Sequence, residues 1–228
     1  MHIFIDSFKK EIDLYWKWSR VSEDKYSKDE WIIESQEWEY SNWGQLMNLA
    51  LKAIRNIENG DFAKDIAEVM LTVMALDNED EKLLDECEII LSDKALEYVA
   101  QSALEHRQWQ ARWQVAELLG RKHERIWEKF LLKFINDSNK YVQRRALISL
   151  SKISPNIAQE IAFDKLIDED DYLRLVSIRI LKQFNSTKLK EAAEILKNDS
   201  FIYVQNEINR IGACQLSQDN NIKIKQGR

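Results

Sequence analysis

Glycine and proline are nearly missing from this chain of 228 residues, which has five glycines and a single proline, Pro155. Hairpins and sheet turns rely on such residues, so their scarcity argues for helices joined by short polar turns. Cysteine is almost as rare. Cys87 and Cys214 form no disulfide framework and give no sign of an oxidising compartment. Cys87 lies in an acidic stretch, which opposes a thiolate nucleophile. No run of about 18 uncharged apolar residues occurs, so no membrane span is expected. The opening MHIFIDSFKKEIDLYW carries charges through its apolar stretch, unlike a secretory leader, and the expected location is the cytoplasm. A glycine-rich phosphate loop is missing, as is a nucleophile flanked by glycine. His2, His106 and His123 are not at metal-ligand spacing. The acidic run Asp168-Glu169-Asp170-Asp171 reads as a solvated turn. The residues thus point to no metal, no cofactor and no catalytic constellation, and a non-enzymatic chain is expected.

Apolar residues make up 45% of the chain, enough to build a sizeable core. Their arrangement in the second half is periodic. Segments starting at His106, Asp137, Asp168 and Asp199 follow one pattern at a constant step of 31 residues. Five residues on stand Ala111, Val142, Leu173 and Val204; six on, Arg112, Gln143, Arg174 and Gln205. Nine on stand Val115, Ala146, Ser177 and Ile208; twelve on, Leu118, Ser149, Ile180 and Ile211. A fixed period of this size marks a stacked repeat protein. The same step exposes a second helix, with Leu96, Trp127, Ala158 and Leu189 followed three residues later by Val99, Phe130, Ile161 and Ala192. That spacing is one apolar helical stripe. Each unit therefore reads as a helix, a turn and a second helix. The expected pairs are 94–104 with 107–120, 123–135 with 139–153, 156–167 with 170–183, and 187–197 with 200–212. Asp, Asn and Ser in the turns suit N-caps, and Ser154-Pro155 suits an N-cap followed by proline at the first helical position.

These residues resemble the HEAT-repeat family, whose second helix carries Asp, then Val-Arg five and six residues on, then small and aliphatic positions. Asp137, Val142, Ala146, Ser149 and Leu150 fit, with Gln143 where Arg is usual; Asp168, Leu173, Arg174, Ser177, Ile180 and Leu181 fit as well. The match spans roughly residues 94–212, in units shorter than the long HEAT repeats of about 40–47 residues, as in compact bacterial versions. The resemblance implies an all-α fold: a right-handed α-solenoid of stacked antiparallel helix pairs. It also implies that Asp168 and Arg174 brace neighbouring units. Residues 1–93 read as a helical N-terminal cap or degenerate repeats, with helices near 3–19, 29–39, 44–58, 62–76 and 79–91. Residues 213–228 read as a tail, and the whole as one continuous domain.

A helix turns about 100° per residue, so positions four, seven and eleven residues into each second helix oppose its core face. These positions hold Gln110, Tyr141, Tyr172 and Tyr203, then Trp113, Arg144, Leu175 and Asn206, then Glu117, Ile148, Arg179 and Arg210. The resemblance places them on a concave surface, and the aromatics and arginines among them are of types enriched at binding hot spots. The three tyrosines also suit a ladder packed between units. A second candidate is acidic and aromatic: Trp31, Glu34, Glu37, Trp38 and Glu39, within a stretch equally suited to filling a cap's core. Charge is uneven. Residues 1–100 carry 23 acidic and 11 basic side chains, a net of −12, and residues 101–228 carry 16 and 22, a net of +6.

Small acidic HEAT-like proteins of bacteria look like some immunity proteins, which bind and neutralise a cognate toxin. The expected partner is then a protein, such as a basic toxin domain steered by the acidic half. The alternative is nucleic-acid binding or DNA repair, by similarity to HEAT-like alkylpurine DNA glycosylases. Trp109, Trp113, Arg144, Arg145, Arg179 and Arg210 would then face DNA, although the family's Trp-Trp-Asp run is missing here.

Overall fold

A computed structural model describes residues 2–28 and 37–212, and all regular structure among them is helical. The helices are α1 (His2–Ser19), α2 (Glu23–Tyr26), α3 (Trp43–Glu58), α4 (Lys64–Leu76), α5 (Lys82–Ile90), α6 (Asp93–Leu104), α7 (Trp109–Arg121), α8 (Glu128–Phe134), α9 (Lys140–Ile153), α10 (Pro155–Asp164), α11 (Asp171–Gln183), α12 (Leu189–Ile195) and α13, residues 202–212. No helix among the described residues is long and apolar enough to cross a membrane. The chain divides into two compact units, Met1–Ala146 and Leu147–Arg228, with the boundary inside α9.

The expected pairs of helices are present, with ends that differ by a few residues. Short 3-10 turns at Arg125–Trp127 and Lys165–Ile167 flank α8 and α10. Ser154 stands at an N-cap before Pro155, although its hydroxyl makes no capping bond there. Of the helix expected at 29–39, residues 29–36 lie outside the described residues, and Glu37–Glu39 form a 3-10 turn. The short helix α2 was not foreseen. Scarce glycine leaves a mark of its own: Arg20, Glu81, His123 and Asn185 adopt left-handed backbone, with φ between 48° and 58°, at a strain of roughly 1–2 kcal/mol for an ordinary residue.

The 31-residue echo is visible as a hydrogen-bond pattern in the turns. Arg112 donates Nε and Nη2 to the Asp137 carboxylate at 2.7 and 2.9 Å, and Nη1 to the His106 and Arg107 carbonyls. Arg174 repeats this with Asp199 at 2.6 and 3.0 Å and with the Asp168 and Glu169 carbonyls. Each arginine thus ties its own turn to the next, as bidentate guanidinium–carboxylate geometry favours. Gln143 and Gln205, at the same position, bond only turn carbonyls: those of Asp137, and of Leu196 and Lys197. Asp137, Asp168 and Asp199 each accept the N–H two residues on. His106 replaces Asp in the first turn and does the same through Nδ1, which accepts the Gln108 N–H at 3.3 Å. The residue is a turn element.

In Met1–Ala146 two helices form the core. α4 packs against α1, α3, α6 and α7, and every residue from Ile66 to Leu76 except Glu68 is buried. α7 packs against α4, α5, α6 and α8. A helix with neighbours on all sides has no solvent face, and its sequence must be apolar or internally paired. The paired case is seen here: Gln114 is fully buried and donates Nε2 to the Met74 carbonyl at 2.6 Å. In Leu147–Arg228, α10 packs along α11, and α12 against α11.

Candidate functional site

Within Leu147–Arg228, Tyr172 and Tyr203 are half exposed, at 50% and 51%, beside the exposed Ile202. Their rings meet Phe201 edge-on: Tyr172 at 4.9 Å and Tyr203 at 5.2 Å between centroids. Edge-to-face geometry of this kind is the preferred aromatic contact. Arg179 lies seven residues beyond Tyr172 and Arg210 seven beyond Tyr203, so each arginine shares its tyrosine's helix face. Between them sits Glu207, buried, with Arg179 Nε at 3.6 Å, Lys182 Nζ at 3.0 Å and Arg210 Nη1 at 2.9 Å. Burial alone would raise the Glu207 carboxyl. The Lys182 hydrogen bond and the three cations outweigh this and hold it below the ordinary carboxylate range. Three cations against one carboxylate leave the patch basic.

Phe201 is the residue that sequence reasoning missed. It follows the turn by two residues, where the other repeats have Gln108, Asn139 and Asp170. Asn139 Oδ1 accepts the Tyr141 and Val142 N–H groups, and Asp170 Oδ1 accepts that of Leu173 at 2.6 Å. Phenylalanine cannot cap a helix, and such a cap is worth about 1 kcal/mol. A residue that gives up that bond to join two half-exposed tyrosines is not explained by the stability of its own helix. The signal was legible as an aromatic at a capping position.

The equivalent face in Met1–Ala146 differs. Gln110 is buried and donates Nε2 to the Tyr26 carbonyl at 3.4 Å, while the Tyr26 hydroxyl donates to the Ala75 carbonyl at 3.0 Å. Gln108 and Arg107 reach Glu23. Helix α2 thus covers the start of α7. Trp113, expected at an open surface, is 2% exposed. Its ring meets Tyr141 at 5.5 Å, and the Arg145 guanidinium lies over it at 4.6 Å. Tyr141 also meets Trp109 at 5.6 Å, with Arg144 over its ring at 5.1 Å. Arg145 pairs with Glu117. Trp113 therefore belongs to a packed aromatic–cation cluster.

Leu175 is likewise buried, against expectation. Arg179 lies only about 20° around the helix from Tyr172, but Leu175 lies about 60° away. That offset separates it from the face that Tyr172 and Arg179 share. Ile148 and Arg144 are half-buried, and Arg210 is exposed. Of the expected surface, Tyr172, Arg179, Tyr203 and Arg210 come together in one patch.

The second expected patch does not form a described surface. Trp31 and Glu34, and the Trp38 side chain, lie outside the described residues. Glu39 is exposed, but Glu37 is buried, and its carboxyl is raised, chiefly by that burial. The neighbouring aromatics fill core: Tyr15 touches Trp16, Trp18, Tyr40 and Trp43.

Cys87 is fully buried, which pushes its thiol up. Burial also lowers His106, whose Nε2 lies 3.5 Å from Thr72 Oγ1 and 3.9 Å from Glu68 Oε1. Glu68 borders a cavity of about 270 Å³ with Tyr98 and Ser102, but Ser102 Oγ donates to the Tyr98 carbonyl rather than to a base. No group of three His, Cys, Asp or Glu among the described residues stands where it could hold a metal. Arg145, Arg179 and Arg210, expected at phosphates under the nucleic-acid alternative, each pair with a carboxylate. No protein-family model matches the chain, and a comparison with curated proteins finds no match.

Proposed function

We propose that this chain is a non-enzymatic, HEAT-like protein-binding module, built as an α-solenoid, and most specifically a bacterial immunity protein that binds and neutralises a cognate toxin. The observation that carries the reading is the Tyr172–Phe201–Tyr203 cluster, half open to solvent and flanked by Arg179 and Arg210. Large rigid aromatics beside arginine are the residues that dominate binding energy at protein interfaces. The aromatic at Phe201 supports it, because the other repeats hold Gln108, Asn139 and Asp170 there and the sequence departs from them where the cluster forms. The acidic half of the chain, at a net −12 over residues 1–100, supports long-range attraction of a basic toxin domain.

The test is co-expression with the product of the adjacent reading frame. The wild-type protein is expected to restore growth and to copurify with that product. The double substitution Tyr172→Ala/Tyr203→Ala is expected to lose both effects while remaining folded. No complex and no rescue by the wild type contradicts the reading, as does full rescue by the double variant.

A further inference from the structure

Helix α3 carries a second row along its flank, which starts at the buried Trp43 and continues through the half-buried Met47 and Leu51. Its inward face is Leu46, Ala50, Ala53, Ile54 and Ile57, all buried. Along its flank, Trp43, Met47 and Leu51 recur every four residues and form one ridge. Between this ridge and Leu83 of α5 lies an open groove of about 510 Å³. Gly44 and Asn48 share its α3 wall, and Lys82, Asp85 and Glu86 form the α5 side.

Gly44 is the telling residue. A glycine in a helix interior is less favourable than alanine by up to about 1 kcal/mol, and Gly44 stands in the first turn of α3. The backbone here does not require it: its φ is not positive, and a Cβ at this position would meet nothing within 4 Å. Its missing side chain keeps the groove open rather than relieving a clash. The groove's edge is acidic, although Asp77 is buried and Glu81, Asp85 and Glu88 pair with Arg121. From Asp77 to Glu88 the chain has seven carboxylates and one lysine. Lys82 is tied to Asp80 at 2.5 Å, and Asp85 to Arg121 at 2.7 Å. Glu86, half-buried at the groove, makes no ion pair among the described residues.

We propose that the groove between α3 and α5 docks a basic amphipathic helix of a partner protein. Its apolar face, spaced i, i+4 and i+7, would lie on the half-buried Met47 and Leu51, the usual logic of a helix in a groove. Its lysines or arginines would meet Glu86 and Asp85. This surface is separate from the Tyr172–Tyr203 patch and does not rest on the immunity reading.

The probe is a fluorescein-labelled 16-residue peptide with leucine at i, i+4, i+7 and i+11 and lysine elsewhere, followed by anisotropy. Two controls are a glutamate version of the same pattern and a scrambled lysine–leucine peptide. The patterned lysine peptide is expected to bind at least about ten-fold more tightly than either control. Gly44→Phe, which fills the groove where space is free, and Glu86→Lys are each expected to weaken it about ten-fold. Circular dichroism checks that both variants fold. Tyr172→Ala/Tyr203→Ala is expected to bind as the wild type does, so failure here and failure of the immunity reading are told apart. No binding, equal binding of the scrambled peptide, or binding indifferent to both groove variants overturns the proposal. So does a wild-type dimer in sedimentation that Gly44→Phe dissolves, since a second copy would then be the occupant.

Discussion

In α7 the position four residues past the turn is Gln110, sealed beneath α2; in α11 and α13 it is Tyr172 and Tyr203, half open to solvent. One repeat position is sealed at Gln110, half-buried at Tyr141 and open at Tyr172 and Tyr203. The difference lies in what covers it. The N-terminal segment supplies a roof through Glu23 and Tyr26, and the buried glutamines of α7 exist to bond that roof and the end of α4. At this position residue type follows: an amide with a backbone partner under cover, tyrosines in the open. A repeat pattern therefore fixes which face a residue takes on its helix, but not whether another segment lies over that face.

Breaking each face should have opposite consequences. Trp113→Ala empties a packed site and is expected to cost about 3–5 kcal/mol in urea unfolding. Arg174→Ala leaves the Asp199 carboxylate buried without its bidentate partner, at an expected cost of about 3 kcal/mol. Tyr172→Ala or Tyr203→Ala, on the open face, is expected to change stability by less than about 1 kcal/mol. A small Trp113 effect or a large Tyr203 effect would erase the contrast.

The acids of the two units should also diverge with pH. Burial pushes Asp77 up to about 7, with Asp80 and Glu37 adding to the rise and the Leu83 N–H and Lys82 opposing it. A raised carboxyl favours the folded state when protonated, so its contribution is present at low pH and lost as pH rises through about 7. Asp199 behaves in the opposite way. Burial alone would raise it, but the Arg174 and Phe201 N–H bonds hold it low. Its contribution is present above the ordinary carboxylate range and is lost as pH falls through its depressed value. Melting of the wild type is expected at a lower temperature at about pH 8.5 than at about pH 5.5, and Asp77→Asn is expected to flatten that slope. An unchanged slope in the variant would remove Asp77 from the account.

Helices and turns of the second half were legible because a 31-residue step repeats the same capping and apolar choices, and Arg174 was rightly read as a brace. The tyrosine–arginine rows were legible from helix geometry. What covers Gln110 was not, because α2 reaches α7 from more than 80 residues away, and nothing local in α7 records such a contact. The burial of Leu175 needed an angular distinction that grouping positions four, seven and eleven together had blurred. Phe201 was written in the sequence as a broken capping rule, but it falls outside the face on which attention had settled.

The most direct measurement is made on Phe201→Asn, which restores the capping residue found at Asn139. Its urea midpoint and its rescue of cells co-expressing the adjacent reading frame are read together. The account predicts stability within about 1 kcal/mol of the wild type, the new cap offsetting the lost ring contacts, with rescue abolished. A loss of about 3 kcal/mol or more, as for a core aromatic, or undiminished rescue would contradict it.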